Sequence, residues 1–205
     1  MKATPLILPC LFAAALVSCE NPADQTADAT TTEAVETTGA AAEGTAYVIT
    51  DSSTITFVGS KVTGSHDGGF KEFDGTFTVN DAGEVTGGEF VIDMNSTWSD
   101  ADKLTEHLKA EDFFHVAEHP QSKFTVTGVE KTDDGYSISG NLMLRGVEKN
   151  ITFPATASKD GDTVKVTAEF DINRKDWGII YAGKADDLIR NEVVIKFDLT
   201  ATPEA

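Results

Sequence analysis

Cysteine is absent from this 205-residue chain after position 19; the only two are Cys10 and Cys19. A folded region beyond that point has no disulfide framework and no thiol nucleophile, so its core alone must hold it. Arginine is almost as scarce, confined to Arg145, Arg174 and Arg190, while Asp and Glu outnumber Lys and Arg 34 to 16, a net charge of −18. A surface that acidic repels phosphate and excludes nucleic acid as a partner. It also disfavours direct adhesion of the folded part to anionic lipid. Long hydrophobic runs are missing too. The longest, over residues 6–16, is too short to cross a bilayer of roughly 30 Å as a helix. The sequence contains no Gly-x-Ser-x-Gly, His-Glu-x-x-His, P-loop or dinucleotide fingerprint, so no catalytic residue is expected.

What is present at the N-terminus reads as export. Lys2, the apolar stretch 6–16 and the ending Leu16-Val17-Ser18-Cys19 resemble a bacterial lipoprotein signal peptide over residues 1–18. In such a signal Cys19 is lipidated and becomes the first residue. Residues 19–46 follow, rich in Ala, Thr, Asp and Glu, with no Lys or Arg from Glu20 to Ala46. Such a segment buries too little to offset its ordering entropy, and the expectation is a disordered tether that stands a domain off a membrane. The expected location is therefore the bacterial cell envelope, lipid-anchored, facing the periplasm or the cell surface. The membrane is met only through the N-terminal lipid.

Residues 47–205 carry period-two alternation in eight stretches, around Thr54–Gly59, Phe73–Val79, Glu89–Met94, Phe124–Gly128, Tyr136–Leu144, Ile151–Ala155, Val164–Ile172 and Val193–Leu199. Turn chemistry separates them: His66-Asp67-Gly68-Gly69, Asn80-Asp81-Ala82-Gly83, Asp133-Asp134-Gly135, Arg145-Gly146 and Lys159-Asp160-Gly161-Asp162. Short joints favour antiparallel neighbours. Ser99 to Ala110 breaks the rhythm as a helix, with Ser99 as N-cap and Leu104 and Leu108 four apart, and Asp112-Phe113-Phe114 then makes a tight turn. The reading is a mainly β fold, an eight-stranded antiparallel barrel with one short helix packed on it. Eight strands enclose a space that side chains fill or that holds one slim ligand, and periodicity does not choose between the two.

Three motifs, in order, carry a resemblance. Lys103-Leu-Thr-Glu-His-Leu-Lys-Ala-Glu-Asp-Phe-Phe114 with His119-Pro120, Gly140-Asn-Leu-Met-Leu-Arg-Gly-Val-Glu-Lys149, and Ile172-Asn-Arg-Lys-Asp-Trp-Gly178 resemble signatures of the YceI-like family. That resemblance implies an extended lipocalin-like barrel that carries a polyisoprenoid or similar amphiphile, and a chain able to pair as a homodimer through an edge or loop. The stretch Gly59-Ser-Lys-Val-Thr-Gly-Ser-His66 departs from the family's His-Ser pattern, which puts the headgroup chemistry in doubt.

The candidate apolar tunnel is Phe57, Phe73, Phe77, Phe90, Leu142, Leu144, Phe153, Phe170, Ile172 and Trp177, with Lys61, His66 and Arg174 at a polar mouth. The rare arginines read first as pins for turns and barrel ends, and Phe113 and Phe114 as anchors of the helix. His115 and His119 are four apart, but Pro120 follows and no acid falls in an established ligand pattern. No metal and no cofactor are expected beyond a lipid-like ligand. The functional expectation is a membrane-tethered binding protein for a polyisoprenoid, isoprenoid quinone or fatty-acyl compound, for storage or transport. The alternative is a packed-barrel envelope or stress protein that acts through its surface on a protein partner.

Overall fold

The computed structural model describes residues 21–37 and 43–204. The signal segment, Cys19 and part of the tether lie outside these. Beyond a first short 3-10 turn at Pro22–Gln25, the strands in chain order are β1 (Ala27–Asp28), β2 (Thr30–Glu33), β3 (Thr45–Ile49), β4 (Thr54–Lys61), β5 (Gly64–Phe70), β6 (Phe73–Val79), β7 (Val85–Asp93) and β8 (Thr97–Ser99). Helix α1 (Asp102–Lys109) follows. After it come β9 (Gln121–Thr132), β10 (Gly135–Leu144), β11 (Val147–Asp160), β12 (Thr163–Asn173), β13 (Gly183–Lys184) and β14 (Asp187–Pro203).

Eight strands close an antiparallel barrel in the order β12, β11, β10, β9, β7, β6, β3, β14 and back to β12. The closing ladder runs from Val164 opposite Ala201 to Asn173 opposite Glu192. Strand β14 is long enough to serve two partners on its other side, β4 along Ile189–Asp198 and β3 at Ala201–Pro203. Inward positions are the alternating apolar ones, which is why the pattern in the sequence marks the core.

Two expectations need correction. His66-Asp67-Gly68-Gly69 is not a turn but the middle of β5, paired with Val58, Phe57 and Thr56 of β4. The glycines serve close approach: a Cβ on Gly68 would lie 2.3 Å from the Phe57 ring and 2.8 Å from the Trp98 carbonyl oxygen. Ser99 is not the helix N-cap. It ends β8, and Ala101 caps α1 with no side-chain bond. The Ser99 backbone N–H instead donates to Thr105 Oγ1 at 2.8 Å, so the side chain of the first turn reaches back to the strand. Leu108 is buried and Leu104 packs against the core, which fixes α1 over one barrel end.

The tether also departs from expectation across residues 21–37. Strands β11 and β12 pair only from Thr156 opposite Thr167 to Asp160 opposite Thr163, then diverge. The N-terminal segment fills the opening. β1 pairs in parallel with β12 at Phe170 and Asp171, and β2 pairs antiparallel with Lys149–Thr152 of β11. Divergent strands expose rows of unpaired N–H and C=O groups, and this demand for partners orders a polar segment that has little apolar surface of its own.

Side chains fasten the segment at both ends. Thr26 Oγ1 donates to Asp171 Oδ2 at 2.9 Å, and Ser60 Oγ to Asn21 Oδ1 at 3.3 Å. At the other end buried Asn141 holds the Val35 backbone twice, accepting from its N–H at 3.1 Å and donating to its carbonyl at 2.7 Å. Asn150, also buried, donates to Asn141 Oδ1 at 2.9 Å.

Two outcomes follow for this seam. A chain lacking residues 20–37 is expected to exchange the amides of Lys149–Thr152 and Phe170–Asp171 for deuterium faster than the full seam does; unchanged protection would mean the segment adds nothing to the wall. The second outcome concerns Asp171. Burial, then the nearby carboxylates of Asp28 and Glu192, raise its carboxyl above the ordinary value, against the lowering bond from Thr26. A raised carboxyl favours the folded state below the ordinary range and loses that contribution as pH rises through the raised value. In urea titrations between pH 4 and 8, the parent chain should therefore lose stability relative to Asp171→Asn as pH rises. A flat difference would contradict this.

Candidate functional site

The barrel encloses an apolar cavity of about 130 Å³. Its walls come from strands on all sides: Phe57 on β4, Phe90 and Ile92 on β7, Phe124 on β9, Leu142 and Leu144 on β10, Phe170 and Ile172 on β12, and Val193, Ile195 and Phe197 on β14. Leu108, Phe113 and Phe114 close it from the helix side. At that end Phe57, Phe70 and Phe114 form a trio with ring centroids 5.7 to 6.3 Å apart.

The floor is a cluster of five rings. Phe153 stacks on Phe170 at 4.0 Å, Phe90 stacks on Phe124 at 5.3 Å, and Phe197 stands edge-on to Phe90 at 5.4 Å and to Phe170 at 5.6 Å. Offset and edge-on pairs of this kind add roughly 0.5–1.5 kcal/mol beyond burial. Below them lies a void of about 20 Å³ bordered by Phe77, Val126, Ile138, Phe153, Val166 and Leu199, among others. The rings thus divide the interior into an upper cavity and a nearly filled lower half.

One cation lines the upper cavity. Arg174, 4% exposed, sits in the short 3-10 turn Arg174–Trp177 that follows β12. It donates through Nε to the Arg190 carbonyl at 2.9 Å, through Nη1 to that of Ile179 at 2.5 Å and through Nη2 to that of Ile189 at 3.4 Å. No carboxylate lies within ion-pair distance of it among the described residues. Burial presses the guanidinium below its ordinary value, with Glu192 acting weakly the other way. Five N–H groups and three carbonyl partners leave donor capacity to spare.

Among the residues expected for the tunnel, Phe57, Phe90, Leu142, Leu144, Phe170 and Ile172 border the upper cavity, and Phe77 and Phe153 border the lower void. Trp177 is fully buried beside them and donates its Nε1–H to the Leu142 carbonyl at 3.1 Å, a packing role. Phe73 is partly buried against the core and borders neither space. The three polar candidates do not converge. Lys61 pairs with Asp187 at 2.5 Å, and His66 with Asp100 at 2.8 Å. Asp187 is held below the ordinary carboxylate range by Lys61 and then Thr63, so it is more than a solvated turn acid. Phe124, Ile195 and Phe197 were legible in the alternation. Phe70, Phe113 and Phe114 reach the cavity only through the placement of β5 and the turn after α1.

The model of the YceI-like domain matches residues 47–201. The chain belongs to the YceI-like family. A UPF0312 protein of Yersinia pestis (strain Pestoides F) is 38% identical over 96 residues, 46% of this chain and 50% of that protein. Protein YceI of Salmonella arizonae is 40% identical over 96 residues, again 46% and 50%. The matched stretch therefore spans about half the length of these curated relatives. Among solved structures, Burkholderia cenocepacia BcnA superposes with a TM-score of 0.67 at 23% identity, covering 74% of this chain and 97% of that one. A polyisoprenoid-binding domain from Saccharophagus degradans gives 0.62 at 20% identity, covering 79% and 100%. At these identities the likeness establishes the shared lipocalin-like barrel of this YceI-like chain.

Arg174 is the residue whose loss this YceI-like barrel should feel most sharply. Arg174→Met strands carbonyls that each cost about 1–3 kcal/mol when buried unpaired, so urea denaturation should show a loss of about 2–4 kcal/mol. Arg174→Lys, with no planar fork, should recover only a minor part. Near-parental stability in both variants would show that the guanidinium does not hold the loop.

Proposed function

We propose that this chain is a membrane-tethered binding protein for a long apolar amphiphile, a polyisoprenoid, isoprenoid quinone or fatty-acyl compound. The barrel holds the ligand for storage or transport in the bacterial cell envelope. The observation that carries the reading is the closed apolar cavity with one buried guanidinium, Arg174, at its wall. An apolar chain gains about 0.8 kcal/mol for each CH₂ taken out of water, and a polar headgroup finds a fixed donor. The YceI-like family and the polyisoprenoid-binding neighbour support this reading. Cys19 supplies the lipid anchor, and residues 21–37 seal the wall beside the ligand. No chemical step is involved.

The cavity sets a condition on binding. A cavity of about 150 Å³ accommodates a benzene-sized guest, and the space here is about 130 Å³. A chain of several isoprene units enters by turning aside rings of the Phe57, Phe70 and Phe114 trio or of the five-ring floor. The same filled floor favours the second reading, a packed barrel that acts on a protein partner through its surface.

The deciding experiment uses the chain from Glu20 onward, so that the lipid anchor is absent and the seam complete. Organic extraction of the purified protein followed by mass spectrometry should return one long-chain amphiphile per barrel. An empty extract, together with no uptake of added isoprenoids or fatty acids, would transfer the assignment to the packed-barrel reading.

A further inference from the structure

The turn that follows α1 brings together three groups that the sequence spacing does not suggest as a set. His115 adopts the left-handed region at φ 50°. Its carbonyl accepts from the N–H of Glu118 at 3.0 Å and of His119 at 2.9 Å, which curls the chain back over the His115 side chain. The His119 ring settles on Gly146, the second residue of the β10–β11 hairpin turn, where a Cβ would lie 2.6 Å from it. The two imidazoles meet edge to face with centroids 5.6 Å apart. One ligand atom from each of His115, Glu118 and His119 lies within 4.8 Å of the others.

We propose that His115, Glu118 and His119 form a binding site for a divalent transition-metal ion of the zinc class. Two imidazoles and one carboxylate make a donor set suited to such ions, with the remaining position left to water. One of the separations fits. Ligand atoms about 2.0–2.1 Å from a tetrahedral zinc stand about 3.3–3.4 Å from one another, and His115 Nδ1 to Glu118 Oε2 is 3.3 Å. The other histidine–carboxylate pairs are direct hydrogen bonds, 2.8 Å for His66–Asp100 and 2.7 Å for His107–Asp112. The pair at His115 is longer than either, still within ion-pair distance. His119 is half-buried, and neither of its ring nitrogens has a hydrogen-bond partner among the described residues. A non-glycine residue in the left-handed region costs on the order of 1 kcal/mol and persists where surroundings or function demand it. Here it is the residue that aims both imidazoles and the carboxylate at one point. Sequence alone offers no reason to expect a metal, because Pro120 follows His119, no cysteine is at hand and no acid falls in an established ligand pattern; the turn supplies the convergence.

The site lies at the end of the turn that carries Phe113 and Phe114, so an ion there would clamp the segment that covers the upper cavity. The test uses the chain from Glu20 onward with any affinity tag removed, stripped with chelator and titrated with Zn²⁺ by calorimetry, with elemental analysis of the dialysed complex. One equivalent of zinc is expected. His119→Ala and Glu118→Gln should each weaken binding by at least about tenfold, while His66→Ala and His107→Ala leave it unchanged. His115→Asn, whose side chain tolerates the left-handed backbone, serves as a second ligand variant. Thermal melts without metal report whether each variant folds. NMR of the imidazole nitrogens should show His115 and His119 shifting on zinc addition, with His66 and His107 stationary. Absence of stoichiometric zinc binding, or binding that survives both His119→Ala and His115→Asn, would overturn the assignment. Lipid extraction is a separate readout, so failure of this site leaves the barrel reading intact.

Discussion

The structure depends on closing the sheet between β12 and β14. Ten register pairs, from Val164–Ala201 to Asn173–Glu192, join the penultimate long strand to the last and turn an open sheet into a barrel. Without that ladder two long edges of alternating apolar residues would stand unpaired, a template for association with other chains. The chain has no cysteine in its folded part, so closure and core packing do the work that disulfides do elsewhere.

Closure is not uniform around the barrel. β11 leaves β12 after five pairs, and the N-terminal segment enters the gap. The gap lies beside the cavity. The segment that leads from Cys19 also completes the wall beside Ile151 and Phe170, both of which border the cavity. Asn141, buried on β10, would lose its two bonds to the Val35 backbone without it. Burial, with Asp28 and Glu192 nearby, raises the Asp171 carboxyl at this seam above its ordinary value.

The interior is built from aromatic rings rather than from aliphatic layers alone. Five rings fill the lower half and three stand at the helix end, with an apolar space between and Arg174 at its wall. The rings both pack the core and border the space. Arg174 sits where the two roles meet. It fixes the loop carbonyls of Ile179, Ile189 and Arg190 and keeps a cation in an apolar room.

By itself the sequence determined the barrel: period-two alternation names which side chains face inward, and turn residues name most of the joints, because both follow from local backbone geometry. It determined that the core contains Phe57, Phe90, Phe153 and Phe170, and that three ordered motifs belong to the YceI-like family. Only the tertiary structure decided the rest. Glycines 68 and 69 read as a turn until the rings of Phe57 and Trp98 press against them. Residues 21–37 read as disorder because their composition is polar, and what orders them is a gap between two strands far along the chain. Lys61, His66 and Arg174 read as one mouth but take separate partners, and His115 and His119 read as a pair without a third ligand until the turn brings Glu118 to them. These were settled by non-local demands for backbone partners and by one left-handed residue, neither of which leaves a periodic mark in the sequence.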